Sequence, residues 1–383
     1  FGARNWAAHD RSASRMISID DMPNGQRRIK VERRLNPNAS WTLAMYLIAT
    51  LFGFGLTALL IWTSGADVLK AFMTLFDGAF GSQKAWIASL AKATPLILTG
   101  LATIVAFRAQ VWSIGQEGQV YSGAMGAYLA CLVFAGLPVG IYLSLIILSG
   151  MIAGAGLGII AAILKTRFGV NEIISTVMMN YLIVFLLSYL IGGGPWTEVS
   201  SSVVYQQSAR IPDAAQLPYL FGTTKLHIAF VFALIAAVFC YVMLEKTPLG
   251  YEIRAMGFNP VALAHRGTNI GRTMIIVMAI SGAIAGLAGV SEIFGTSHRV
   301  RVDTLYGFGF TGIIIGMIGG LRPLGAVIAG IFFGGLETGA LYMKLLAKVP
   351  AAIVPAMEGI LLLTFLIAGV AARYKIVRVN TND

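Results

Sequence analysis

From Trp41 to Ala372 the chain is a succession of apolar runs, most close to 20 residues long, separated by short polar breaks. A helix needs about 20 apolar residues to cross roughly 30 Å of hydrocarbon. In lipid only helices and closed barrels satisfy every backbone group, and runs this long are helical rather than strand-like. The runs fall near 41–63, 86–107, 119–137, 141–164, 173–192, 227–244, 273–294, 305–321, 324–343 and 352–372. They predict an all-α fold, a polytopic membrane helical bundle of about ten transmembrane helices. The stretch 305–343 is rich in glycine and broken at Arg322-Pro323, so it reads either as two spans or as a re-entrant pair. Only 12% of residues are charged, about half the share typical of a soluble domain.

The net charge of +11 would suit a nucleic-acid partner if it were clustered, but it is spread. Eight basic residues lie in the first 40 positions, and most others occupy loops between apolar runs, where they orient a membrane chain. With the N-terminus inside, 19 of the 28 lysines and arginines fall on the cytoplasmic side and eight outside; Lys92 is left within a span. Both termini are therefore expected in the cytoplasm. The resulting organisation is a basic polar tail (1–40), a transmembrane domain (41–372) containing a cytoplasmic loop (245–272), and a short cytoplasmic tail (373–383). The first tail has no sustained period and is expected to be flexible. The 41–63 run is too long for a signal-peptide core and reads as an uncleaved first helix.

Other classes are disfavoured by what the residues can do. Cys131 and Cys240 lie far apart in apolar runs, and the four histidines are scattered, giving neither a disulfide framework nor metal-ligand spacing. No catalytic constellation is evident. Gly307–Gly312 fits GxGxxG, but no strand precedes it and no acidic partner follows. No P-loop is present, so any nucleotide must be bound by another chain. Glycines four apart, such as Gly150/Gly154/Gly158 and Gly282/Gly286, predict close helix–helix seams.

The cytoplasmic loop is the most structured polar segment. Asn259 followed by Pro260 is a cap and first-turn pair, and Gly267 stands where a left-handed C-terminal residue would. A two-turn helix over 260–266 is expected, after a shorter segment over 251–256 ending at Gly257. Helices this short are held by packing, either on their own bundle or on a partner.

This loop, with Arg254, Met256, Gly257, Asn259, Pro260, Ala262, Ala264, Gly267 and Ile270, resembles the Ala-rich segment by which ABC importer permeases engage their ATPases. Thr94–Leu101, Phe107-Arg108, Ile114–Gln119, Gly169–Thr176 with Asn180-Tyr181, and Gly307–Phe310 with Pro323–Gly325 are similar, in order, to the branched-chain amino acid/ribose/nucleoside permease family, its nucleoside and simple-sugar branch. Ser113 departs from the asparagine expected there. The resemblance implies a transport subunit without catalysis or cofactor of its own, in a bacterial inner membrane. Its implied partners are an ABC ATPase subunit carrying ATP, a second homologous permease or a copy of itself, and an extracytoplasmic substrate-binding lipoprotein. A branched-chain amino acid permease and an ion-coupled secondary transporter are the alternatives.

Within the bundle, Gln116, Glu117 and Gln119 interrupt an apolar stretch. Such a break is tolerated only against protein or a water-filled cavity, or it is a cytoplasmic turn with Glu117 near a helix start. Asn171 and Glu172 read as a capped helix start, whereas Asn180, deeper in the same helix, must find an internal partner. Ser175, Asn180, Gln116 and Gln119, beside Trp112, Phe308 and Phe310, offer neutral polar groups and aromatic faces suited to a nucleoside. The aromatic residues serve equally as packed core. Glu292, Glu337 and Glu358 lie in or near spans and are functional candidates, or they pair with Arg299, Arg301 or Lys344.

Overall fold

The structure is a computed structural model describing residues 28–33, 39–200, 203–220, 222, 226–350 and 352–379. The chain forms two compact units, Phe1–Met45 with Val370–Asp383, and Tyr46–Gly369. In the first, β1 (Arg28–Arg33) pairs antiparallel with β4 (Tyr374–Val379), Arg28 opposite Val379 and Arg33 opposite Tyr374. This corrects the expectation of an unstructured tail for 28–33. The first segment alternates polar and apolar residues from Arg28 to Glu32, the strand period. The rest of the tail before Ala39 lies outside the described residues.

The second unit is helical. Its helices are α1 (Ala39–Thr63, beginning in the first unit), α2 (Val68–Phe80), α3 (Gln83–Arg108), α4 (Gln116–Val133), α5 (Val139–Phe168), α6 (Glu172–Ile191) and α7 (Ala229–Lys246). They continue with α8 (Pro248–Phe258), α9 (Pro260–His265), α10 (Ile270–Glu292), α11 (Val302–Leu305), α12 (Phe308–Ile318), α13 (Pro323–Leu346) and α14 (Ile353–Arg373). A π turn, Ile293–Ser297, extends α10. A two-stranded ribbon, β2 (Glu198–Ser200) with β3 (Val203–Tyr205), stands between α6 and α7.

Eight helices among the described residues are long and apolar enough to cross a membrane. The two remaining elements behave differently. Helix α12 is about 17 Å long, too short to cross about 30 Å of hydrocarbon. Helix α4 opens with the polar residues Gln116, Glu117 and Gln119. Counting both, the polytopic helical bundle expected from the sequence is found.

Helix ends are set locally. Asp67 accepts from the amides of Leu69 and Lys70, Ser82 from Ala85, and Asn171 from Ile173, each filling orphan donors of a first turn. Helix α5 ends on Gly169 at φ 69°, with Lys165 and Arg167 in its last turn. Helix α3 lies at the centre, packed against α10, α12 and α13, with its side chains from Ala93 to Phe107 buried throughout. Pro95 removes one amide within it, and Thr99 Oγ1 donates to the Pro95 carbonyl at 2.9 Å. The glycine seam forms between α5 and α10: a Cβ on Gly154 would strike the Gly282 carbonyl, and one on Gly158 the Met278 carbonyl.

Candidate transport pathway and docking loop

Helix α4 does not start at the membrane surface. Its Gly118 amide donates to Asn180 Oδ1 at 2.8 Å, and Asn180 sits about 12 Å into α6 at 1.5 Å of rise per residue. The segment 109–115 therefore turns back from the end of α3 into the bundle. It leaves through Gln110 at φ 56° and has no helix of its own. Its Ile114 backbone is satisfied from α6: Thr176 Oγ1 accepts from the Ile114 amide at 3.2 Å, and Asn180 Nδ2 donates to the Ile114 carbonyl at 2.7 Å. Ser113 Oγ accepts from Gly115 at 3.3 Å. Non-helical backbone at membrane depth requires such partners.

The start of α4 meets the start of α12. Glu117 Oε1 accepts from the Gly307 amide at 2.7 Å, and Oε2 from the Gly309 amide at 2.8 Å. The carboxylate thus caps α12, whose orphan amides and positive dipole end favour an anion. Gly307 adopts φ 94°. A side chain on Gly309 would run into the backbone of Glu117.

The structure gathers Gln116, Glu117, Gln119 and Asn180 around this junction, with Phe308 on its α12 side; all are buried. Both polar atoms of the Gln116 amide and Oε1 of Gln119 have no hydrogen-bond partner among the described residues. Ser175 is buried too, but its hydroxyl donates to the Glu172 carbonyl of its own helix at 3.2 Å. Trp112 and Phe310 stand apart, 43% and 40% exposed, and Trp112 packs on Phe107 at 4.8 Å between centroids.

Phe308 also leads to a second polar group. Lys92 Nζ lies 5.5 Å above its ring and 3.3 Å from Glu292 Oε1. The partner of Glu292 is thus the lysine left within a span, not one of the boundary cations considered from the sequence. Arg299 instead pairs with Glu198, which holds the Glu198 carboxyl below its usual range. Sequence pattern flags both Lys92 and Glu292 as charges in apolar runs; their pairing across two hundred positions is visible only in the fold.

At the other end of the bundle, the 245–272 loop carries α8 and α9. Thr247 caps α8, accepting from Gly250 at 3.1 Å, and Asn259 caps α9, accepting from Ala262 at 3.0 Å. Pro260 occupies the first turn, and Gly267 is left-handed at φ 91°. Asn269 then caps α10, placing Ile270 in its first turn. Helix α8 is longer than the 251–256 segment expected, because Thr247-Pro248 supplies an earlier capped start. Ile253, Met256 and Leu263 are buried against the bundle, while Ala262, Ala264 and Gly267 are exposed, as is Phe258 at 90%. Between α8 and α9 lies a groove of about 460 Å³ that includes Tyr251, Arg254, Phe258 and Arg266.

Glu245, at the end of α7, joins this loop to α3. Its Oε1 takes Arg108 Nη1 at 2.7 Å and its Oε2 takes Arg254 Nη1 at 3.3 Å. Arg108 Nε donates to the Leu321 carbonyl, beyond α12, at 2.9 Å. Gly257 packs on the Arg108 carbonyl.

A helical bundle with two helices starting inside it, and a capped helical loop at one end, is the layout of a membrane permease. Residues 86–370 match the family described as branched-chain amino acid transport system / permease component, and the chain belongs to that family. It is 35% identical over 341 residues to a guanosine ABC transporter permease protein of Bacillus subtilis, covering 87% of this chain and 95% of that protein. It is 32% identical over 300 residues to a nucleoside ABC transporter permease protein of Lactococcus lactis, covering 77% and 82%. A glucose ABC transporter permease protein of Haloferax volcanii is 32% identical over 321 residues, covering 81% and 83%.

Proposed function

We propose that this chain is the permease subunit of an ATP-driven importer of nucleosides, in the cytoplasmic membrane with both termini inside. The observation that carries the substrate is its similarity, over nearly the full length of both chains, to a permease named for guanosine. The glucose permease among the relatives makes simple sugars the second reading. An ATPase that holds the nucleotide docks on the exposed side of α8 and α9. A second permease, or a copy of this one, completes the membrane domain, and an extracytoplasmic lipoprotein delivers the solute.

Mechanically, Arg108 couples the docking loop to the pathway. A push on α8 reaches the end of α3 through Glu245 and Gly257, and from there the re-entrant segment 109–115 and the start of α4. The α4 start holds α12 through Glu117. Movement at the loop is thereby transmitted to the two half-crossing helices, in keeping with alternating access around a fixed midplane site.

The test is uptake in cells lacking other nucleoside carriers, with the complete transporter expressed and labelled guanosine, adenosine, uridine, ribose, glucose and leucine compared. Saturable nucleoside uptake is expected. Sugar uptake without nucleoside uptake moves the substrate to sugars, and leucine uptake alone overturns the branch.

A further inference from the structure

Four ionisable side chains from four different helices lie in the half of the bundle remote from the 245–272 loop. Contacts fix the relative directions of three helices: Lys92 with Glu292, and Ser281 with the Ala102 carbonyl, make α3 and α10 antiparallel. Gly330 against Ile97 and Gly334 against Ala93 do the same for α3 and α13. At 1.5 Å per residue, Lys92 lies about 14 Å from its helix end, Glu292 about 8 Å from the end of the π turn, Glu337 about 14 Å, and Glu358 about 8 Å. All four ends are those remote from the docking loop. Lys92 interacts electrostatically with all three carboxylates, and Glu337 with both of the others.

Glu292 is 1% exposed. Among the described residues only its Oε1 is engaged; Oε2 is buried with no hydrogen-bond partner there. A buried carboxylate oxygen left unpaired costs more than an ordinary hydrogen bond yields, so a structural role alone does not account for it. Lys92 is 28% exposed, and Glu337 and Glu358 are half-buried. Charges at this depth do not face hydrocarbon, so this face is turned to a water-filled path or a second subunit. Among the described residues no group of carboxylates is arranged to hold a metal ion.

We infer that Lys92 and Glu292 form an intramembrane solute-binding pair that recognises a neutral solute through two adjacent hydrogen-bond donors. The free Oε2 accepts from one donor, Oε1 exchanges Lys92 for the second, and the released ammonium donates to an acceptor on the same solute. Phe308 lies beneath the lysine as an apolar floor. Adjacent donors occur on the amide and amine edge of guanine and on a vicinal diol, and both sources belong to the substrate class proposed above, on which this inference rests.

The test uses the complete transporter and initial-rate uptake of labelled guanosine, with competition by inosine, 2′-deoxyguanosine, glucose and leucine. Replacing a buried ion pair by apolar residues of similar size is commonly neutral for folding. The double variant Lys92→Met/Glu292→Met should therefore still co-purify with its ATPase, while its KM for guanosine rises at least tenfold. Weaker competition by inosine in the wild type assigns the base edge, and weaker competition by 2′-deoxyguanosine assigns the diol. If the double variant does not assemble, Glu292→Gln, which keeps shape and one acceptor, decides: its KM should rise several-fold with kcat little changed. A wild-type KM in the assembling variant overturns the proposal, as does leucine competing as well as guanosine. Wild-type transporter that takes up neither nucleoside nor sugar overturns the functional reading beneath it, a failure that shows before any variant is made.

Discussion

Arg108 holds Glu245 at 2.7 Å, closing a bridge from the end of α3 to the root of the 245–272 loop, with Arg254 on the other carboxylate oxygen. Glu245 is 35% exposed, so the bridge contributes no more than about 1 kcal/mol to stability. Its importance is geometric. Arg108→Gln should leave the unfolding temperature of the detergent-solubilised complex within a few degrees of wild type. Solute transported per ATP hydrolysed should fall several-fold. An unchanged ratio would remove Arg108 from the coupling route.

Gly267 leads to a related expectation by a different cause. Its φ of 91° strains any β-branched residue by about 1–2 kcal/mol, and its surroundings are open, with nothing within 4 Å of an added Cβ. Gly267→Val should insert and fold. Binding of the ATPase, followed by co-purification, should weaken because the α9 surface is distorted and bulkier. Co-purification at wild-type yield, with normal uptake, would contradict docking there.

Glu117 is required by α12 whatever the solute. In Glu117→Gln the amide group points a donor at one of two backbone donors, leaving Gly307 or Gly309 unpaired in a buried place. The expected cost is about 1–3 kcal/mol, measured as a lower unfolding temperature in detergent. Faster hydrogen exchange confined to 307–312 should accompany it. Unchanged exchange there would mean that the α12 start does not depend on Glu117.

Far from the 245–272 loop, His227 is buried beneath Gly295, with Nε2 3.4 Å from Thr296 Oγ1 and Nδ1 without a partner among the described residues. Burial, with the nearby His298, pushes its pKa down to about 4. The folded protein therefore keeps it neutral while the unfolded chain takes up a proton below about 6.5. Stability from this site is full above pH 6.5 and falls as the pH drops towards 4, by roughly 3 kcal/mol at 1.36 kcal/mol per unit. Thermal unfolding between pH 7 and 4 should show a smaller fall for His227→Gln than for wild type. Parallel curves would contradict the burial argument.

Helix starts and stops were legible in the sequence because capping is local: Asn171, Asn259-Pro260 and Gly267 sit where their chemistry requires. Hydropathy located the spans because membrane thickness sets their length. It placed the start of α4 at 119 rather than 116, since Gln116 and Glu117 are polar for a reason that lies in α12. A polar or aromatic residue in an apolar run reads the same whether it caps a helix or touches a solute. Glu117 turned out to cap a helix and Asn180 to brace Ile114. The Lys92–Glu292 pair and the β1–β4 ribbon depend on residues far apart in the chain, although the strand alternation in Arg28–Arg33 is a local sign of the latter.

The most direct measurement is guanosine uptake into proteoliposomes holding this chain, its partner permease, the ATPase and the binding protein. ATP is enclosed, and a protonophore and a sodium ionophore are added in separate runs. The expectation is uptake that needs ATP, ATPase and binding protein, and that persists when the ion gradients are collapsed. Uptake by this chain without the ATPase, abolished by either ionophore, would contradict it and make the protein an ion-coupled carrier.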